Sequence, residues 1–122
     1  MAVTHGTATR TAIATAVLGE IDAGTAGSLI FQTTSTEVAT CVLSVTSGVV
    51  SGAVLTFNAI TDDSSATGNA SAVDNFIITD SSAVTCLAGA VAASGSDINL
   101  SSTTIGAGDT VSVSSLTYTA PV

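Results

Sequence analysis

Apolar positions along this chain change their period once. From residue 7 to 23 they recur at helical spacing. Ile13, Ala14, Val17, Leu18 and Ile21 fall within about 140° on a wheel of ~100° per residue. Thr11, Thr15, Gly19, Glu20 and Asp22 take the other side. Gly24 follows the last periodic position, where helices commonly stop. The spacing predicts one helix over 7–23. Its charges run against the macrodipole, with Arg10 near the start and Glu20 and Asp22 near the end, so packing must hold it. Arg10 projects onto the apolar stripe between Val17 and Ile21. Three readings stay open for it: a buried stem with its head paired to a carboxylate, a salt bridge to a neighbouring subunit, or contact with an anionic ligand. Arg10, Ile13, Val17 and Ile21 are the interface candidates.

From Ser28 onward short apolar runs alternate with Gly, Ser, Asp and Asn. The runs predict strands over 28–33, 37–45, 54–61, 75–80, 83–91, 97–103 and 109–119, with loops at 46–52 and 62–74. In the last run Val111 and Val113 share one parity, while Leu116, Tyr118 and Ala120 share the other. A period-2 strand cannot bury both sets on one face, so a bulge or bend is expected at Ser114-Ser115. Pro121 then ends the pairing. A short echo links Ile60-Thr61-Asp62-Asp63-Ser64-Ser65-Ala66 to Ile78-Thr79-Asp80-Ser81-Ser82-Ala83. Both read as strand ends entering turns whose Asp and Ser cap main-chain donors.

The expected fold class is mainly β (α+β): an N-terminal helix packed on an antiparallel β-sandwich or barrel of about seven short strands. A chain of 122 residues fits one domain, a 1–24 helix segment with a 28–122 β domain. Composition agrees, with 14 Val, 8 Ile and 38 Ser or Thr against three Phe and one Tyr. So few aromatics give a thin core, or one completed by neighbouring subunits.

Charge narrows the function classes. One arginine faces nine carboxylates, for a net charge of −8, which repels nucleic acid and anionic membranes. Charged residues make up 8% of the chain, against about 25% in ordinary soluble domains. Contacts with partners are then apolar and hydrogen-bonded. No run approaches the ~20 apolar residues of a membrane span. The weakly apolar 12–18 segment, followed by Glu20 and Asp22, does not match an export signal. Synthesis in a cytoplasm is expected, which makes the sequons at Asn69 and Asn99 coincidental.

Candidate chemistry is sparse. His5 is the sole conventional base, and nothing in its spacing provides a nucleophile and an orienting group. Asp62-Asp63 is the only adjacent carboxylate pair, in a Ser/Gly turn with no aromatic platform for sugar. Calcium ligation by Asp62, Asp63 and Asp74 is chemically conceivable, but the spacing is not that of an EF-hand and solvated turn aspartates fit better. Gly106-Ala107-Gly108-Asp109 lacks the Lys and following helix of a phosphate loop and reads as a turn. Cys41 and Cys86 are either buried thiols or a disulfide between adjacent strands, and they have no Cys/His neighbours for a metal. No enzyme, cofactor or metal is expected.

The run Ser94-Gly95-Ser96-Asp97-Ile98-Asn99-Leu100-Ser101-Ser102, then Ile105 to Asp109, then Thr110-Val111-Ser112-Val113-Ser114-Ser115-Leu116-Thr117-Tyr118-Thr119-Ala120-Pro121, resembles a pattern of small proteins from tailed bacteriophages and prophages. The Ala/Thr-rich helix and the segment from Ala59 to Phe76 fit the same pattern, although Asn75-Phe76 stands where relatives often carry a Gly-Trp or aromatic strand. The resemblance implies a virion component without catalytic residues. An acidic chain belongs on the outside of a shell or on a tail, away from DNA. The leading expectation is a capsid decoration (cement) protein on the virion, bound to the major capsid protein or other virion proteins. It would act as a small cyclic homo-oligomer, a trimer favoured, with no nucleic-acid or membrane partner. Its alternatives are a tail, neck or fibre-associated component and an immunoglobulin-like adhesin recognising glycans. The last would need exposed loop aromatics, and Phe31, Phe57, Phe76 and Tyr118 all fall in predicted strands.

Overall fold

The helical period becomes α1 (Thr7–Ile21) in the computed structural model, which describes residues 3–96, 98–100 and 102–122. α1 ends two residues before the expected stop, with Asp22 as its C-cap. Gly6 is the N-cap and offers no side chain to the first turn, which carries no acidic residue. The hydroxyls of Thr11 and Thr15 donate back to the Thr7 and Thr11 carbonyls at 2.9 and 2.8 Å, a contact that adds little to a helix. Packing holds α1 instead: Ala14 and Ile21 are fully buried, and the helix lies against strands of both sheets.

Among the described residues eight strands follow: β1 (Ser28–Thr33), β2 (Thr36–Val42), β3 (Gly48–Ser51), β4 (Val54–Phe57), β5 (Asn75–Thr79), β6 (Thr85–Ala92), β7 (Ile98–Asn99) and β8 (Thr117–Thr119). They form a five-stranded sheet of order β2-β1-β5-β6-β7 and a three-stranded sheet of order β3-β4-β8. The architecture is mainly β and sandwich-like, with an N-terminal helix. Pairing is antiparallel except for the short parallel contact between β6 and β7.

The alternation that predicted 28–33 is visible as buried Leu29 and Phe31 between half-buried neighbours. In β2 the register slips opposite Phe31. Val38 and Ala39 are therefore both buried, as a bulge permits. Other boundaries differ. The strand expected over 54–61 stops at Phe57, and the one expected over 97–103 is reduced to Ile98–Asn99, with Asp97 and Ser101 outside the described residues. The loop expected at 46–52 contains β3. Gly52 sits at φ +59° as the first residue of a two-residue β3–β4 turn, the position that glycine fills in a type II′ hairpin. The expected 109–119 strand divides at a bend on Ser114. Val111 bridges Asp63, and the chain re-enters a sheet only at Thr117. The parity break marks this point, and the outcome is a full break in pairing.

The 62–74 connection has no regular strand, yet it is stitched to the 103–111 segment. Asp63 N donates to Val111 O at 2.9 Å, Ala66 N to Asp109 O at 3.0 Å, Asn69 N to Ile105 O at 2.9 Å and Val73 N to Thr103 O at 2.8 Å. This seam buries Ala66, Val73, Ile105 and Val111. One contiguous core then joins it to Leu29, Phe31, Leu55, Phe57, Phe76 and Ile78 from the two sheets and to Ile21 from α1.

Candidate functional site

Among the described residues, six carboxylates are engaged in hydrogen bonds within the chain. Asp22 accepts from Ser47 N at 2.9 Å, and Asp63 from Thr40 N and Ser65 N, both at 2.9 Å. Asp74 accepts from Thr34 N at 3.0 Å, Asp80 from Ser82 N and Val84 N at 2.8 and 3.0 Å, and Asp109 from Gly106 N at 2.8 Å. Glu37 takes the hydroxyls of Thr40 and Thr67 at 3.2 and 2.8 Å. The echoed segments share this chemistry, since Asp63 and Asp80 each cap the amide two residues on. Among the described residues no group of three His, Cys, Asp or Glu is placed to hold a metal ion.

Arg10 donates through Nε and Nη2 to the Ala120 carbonyl at 3.3 and 3.1 Å. The acceptor is main chain, not the carboxylate considered from the sequence. The contact ties α1 to the segment just after β8. His5 is exposed beside it, with Nδ1 3.2 Å from Val122 O.

Both cysteines are free. β2 and β6 are separated by β1 and β5, so Cys41 and Cys86 are about 14 Å apart at ~4.8 Å per strand. A disulfide reaches no more than about 7 Å between Cα atoms, which removes the bridged alternative. Burial, aided by the charges of Asp63 and Asp62, pushes the Cys41 thiol up. The Cys86 thiol is also raised, mainly by desolvation and then by Asp80 and Glu20. Neither is an activated nucleophile.

What the surface offers is apolar relief. One groove of about 380 Å³ runs between α1 and β6, lined by Ile13, Ala16, Val17, Val84 and Cys86 and also by the carboxylate-bearing Glu20. The structure thus brings Ile13 and Val17 together with the start of β6, a half of this groove that helical periodicity alone does not reveal. Ile21 is absent from it: at 0% exposure this residue belongs to the core and presents nothing to a partner, a correction to its place among the interface candidates. A second groove of about 320 Å³ opens where the sandwich gapes between β8 and β5–β6, with Phe57, Phe76, Ile78, Leu87, Leu116 and Tyr118 around it. A further cavity of about 370 Å³ shares Leu116 and Thr117 with it and continues along Val113 to Ile98 and Leu100. Among the described residues, no charged side chain lines either of these two.

The outer face of the three-stranded sheet is also uncharged. Val49, Thr56 and Thr117 form one cross-strand row, and Ser51, Val54 and Thr119 the next. Val49 is 60% exposed. Among the described residues, no helix is long and apolar enough to cross a membrane.

No protein-family model matches this chain, and no curated protein or solved structure matches it either. The sandwich-like fold therefore rests on its own geometry.

Proposed function

We propose that this chain is a non-enzymatic structural protein of a bacteriophage virion, a decoration (cement) protein seated on the outer surface of the head. One observation carries the reading: the carboxylates of Asp22, Glu37, Asp63, Asp74, Asp80 and Asp109 all accept hydrogen bonds within the chain, and Arg10 holds a main-chain carbonyl. Apart from the exposed Glu20 and Asp62, the described surface that remains for partners is largely Val, Thr and Ser with apolar grooves, which binds by shape and desolvation. The net charge of −8 favours the outside of a DNA-filled shell over the inside. The resemblance of the 94–121 segment to phage proteins supplies the virion context. In this reading the major capsid protein is the principal partner, and copies of the chain associate with one another. Repeated over a closed shell, modest contacts add up by avidity.

Particles assembled with and without the protein test the proposal. Those lacking it should release DNA at a lower temperature and under milder osmotic shock, and quantitative mass spectrometry should find copies in proportion to the capsid subunits. Equal robustness of both particles, or copies matching the far fewer subunits of a neck or tail, would replace the decoration reading with a connector or tail component.

A further inference from the structure

We infer that β8 is a self-pairing edge, through which two copies of this chain join their three-stranded sheets about a two-fold axis and close each other's open groove. The inference goes beyond the proposed function, since self-pairing in solution and incorporation into a virion succeed or fail independently.

The ladder fixes which atoms are on offer. β4 and β8 pair antiparallel with Leu55 opposite Tyr118. Phe57 N donates to Leu116 O at 3.0 Å, and Ala120 N to Ala53 O at 2.8 Å. Because such pairs alternate along an antiparallel ladder, the main-chain groups of Leu116, Tyr118 and Ala120 face β4. Those of Thr117 and Thr119 point the other way, off the edge of the sheet. A second β8 laid antiparallel with Tyr118 opposite Tyr118 places Thr117 of each copy across from Thr119 of the other. All four outward N–H groups and carbonyls are then satisfied.

No neighbouring register does as well. A slip toward the C-terminus brings in Pro121, which has no N–H to give. A slip the other way calls on residues at the bend on Ser114.

The side chains agree with this register. Leu116 and Tyr118 share the inward face of β8 and are only half-buried in the single chain. In the pair, Tyr118 of the second copy stands on the same face as its counterpart, at the mouth of the groove lined by Phe57, Phe76, Ile78 and Leu87. Each copy thereby contributes the residue that covers the other's groove. Charge selects the same place: copies that each carry −8 repel wherever carboxylates meet, and neither β8 nor this groove carries one. Such an edge, left open, is the kind of template that natural sheets pair or cover. A two-fold contact builds a dimer, in place of the trimer expected from the sequence.

The test uses the full chain in solution. Native mass spectrometry and sedimentation of the wild type should give a species of twice 11.7 kDa. Thr119→Pro removes an outward N–H and none that faces β4, so it should weaken dimerisation by at least about a hundredfold while leaving the circular dichroism spectrum unchanged. A second measurement stands even if that variant misfolds. In a Cys86→Ser background, Tyr118→Cys should form an intermolecular disulfide on mild oxidation, because opposed residues of a non-hydrogen-bonded pair bring their Cβ atoms within bridging range. A wild type that stays monomeric or forms a trimer, a folded Thr119→Pro dimer of undiminished affinity, or absence of the Tyr118→Cys cross-link overturns the inference.

Discussion

Replacing Asp63 by alanine, with Asp62→Ala as its companion, separates two carboxylates that the sequence presents as a pair. Asp62 is exposed. Asp63 is half-buried, and its two oxygens accept from Thr40 N on the outer edge of β2 and from Ser65 N, each at 2.9 Å. Its main chain exchanges two further bonds with Val111 at 2.9 and 2.7 Å, which alanine keeps. The substitution therefore strands one part-buried amide and loosens one exposed turn. A bond to a charged acceptor contributes about 1.5–3 kcal/mol, and a half-buried donor belongs in the lower part of that range. With roughly 0.5 kcal/mol for the Ser65 turn, the expected loss is about 2–3 kcal/mol. Unfolding entropy of ~2.1 cal/mol/K per residue gives a chain of this length roughly 4 °C per kcal/mol, so Tm should fall by about 8–12 °C. Asp62→Ala should stay within about 0.5 kcal/mol of wild type. Asp63→Asn keeps one acceptor oxygen and should lose about half as much as alanine. Thermal and urea denaturation of the three variants provide the comparison. Equal losses at 62 and 63, or an Asp63→Ala variant as stable as wild type, would refute the assignment of Asp63 as the clasp between β2 and the 62–74 seam.

The thiols should react unequally: iodoacetamide should modify Cys86 slowly in the folded protein and reach Cys41 only after denaturation, as peptide mapping will report. Because burial raises both thiols above their ordinary 9.0, the stability they contribute is full below the unfolded thiol pKa. It declines as pH climbs through the folded values, so urea midpoints should drop in alkaline buffer and drop less in Cys41→Ala than in wild type. Ser47 is 1% exposed, and among the described residues its hydroxyl has no partner. Ser47→Ala should raise stability by about 1 kcal/mol, measured by denaturant midpoint. Ile21→Ala should cost about 2–4 kcal/mol, whereas Ile13→Ala, at the half-exposed groove, should cost less than half as much in the same assay.

How far the sequence reveals this fold depends on whether a feature is local. α1 and β1 are legible because each repeats its own period over enough residues, and the break near Ser114 is legible because two parities cannot share a face. β3 escapes because a four-residue strand between Gly48 and Gly52 looks like a turn when read alone. The hairpin signal lies in Gly52-Ala53 combined with the strand that follows. The turn roles of Asp63 and Asp80 are visible in the echoed segments. Both grooves are invisible to any local pattern, since they arise where β8 meets β5–β6 and where α1 meets β6. Arg10 illustrates the same limit. Its position on the stripe is a matter of periodicity, but its acceptor, Ala120, lies 110 residues away in sequence.

Salt offers a last discriminating prediction, because the interface inferred here is neutral while the molecules that form it are strongly charged. Treated as points of −8 about 30 Å apart in water, two copies repel with roughly 9 kcal/mol before screening. A Debye length of ~30 Å at 0.01 M salt leaves about 3 kcal/mol of that, and ~10 Å at 0.1 M leaves about 0.4 kcal/mol. The apolar groove and the β8 hydrogen bonds are nearly indifferent to salt over this range. Dimerisation should therefore tighten by about a hundredfold as salt rises from 0.01 to 0.1 M, read by sedimentation equilibrium at a series of salt concentrations. An interface built on ion pairs behaves oppositely and weakens with salt. If association of this chain weakens over that interval, the contact runs through its carboxylates, and neither β8 nor the uncharged groove beside it can be the joining surface.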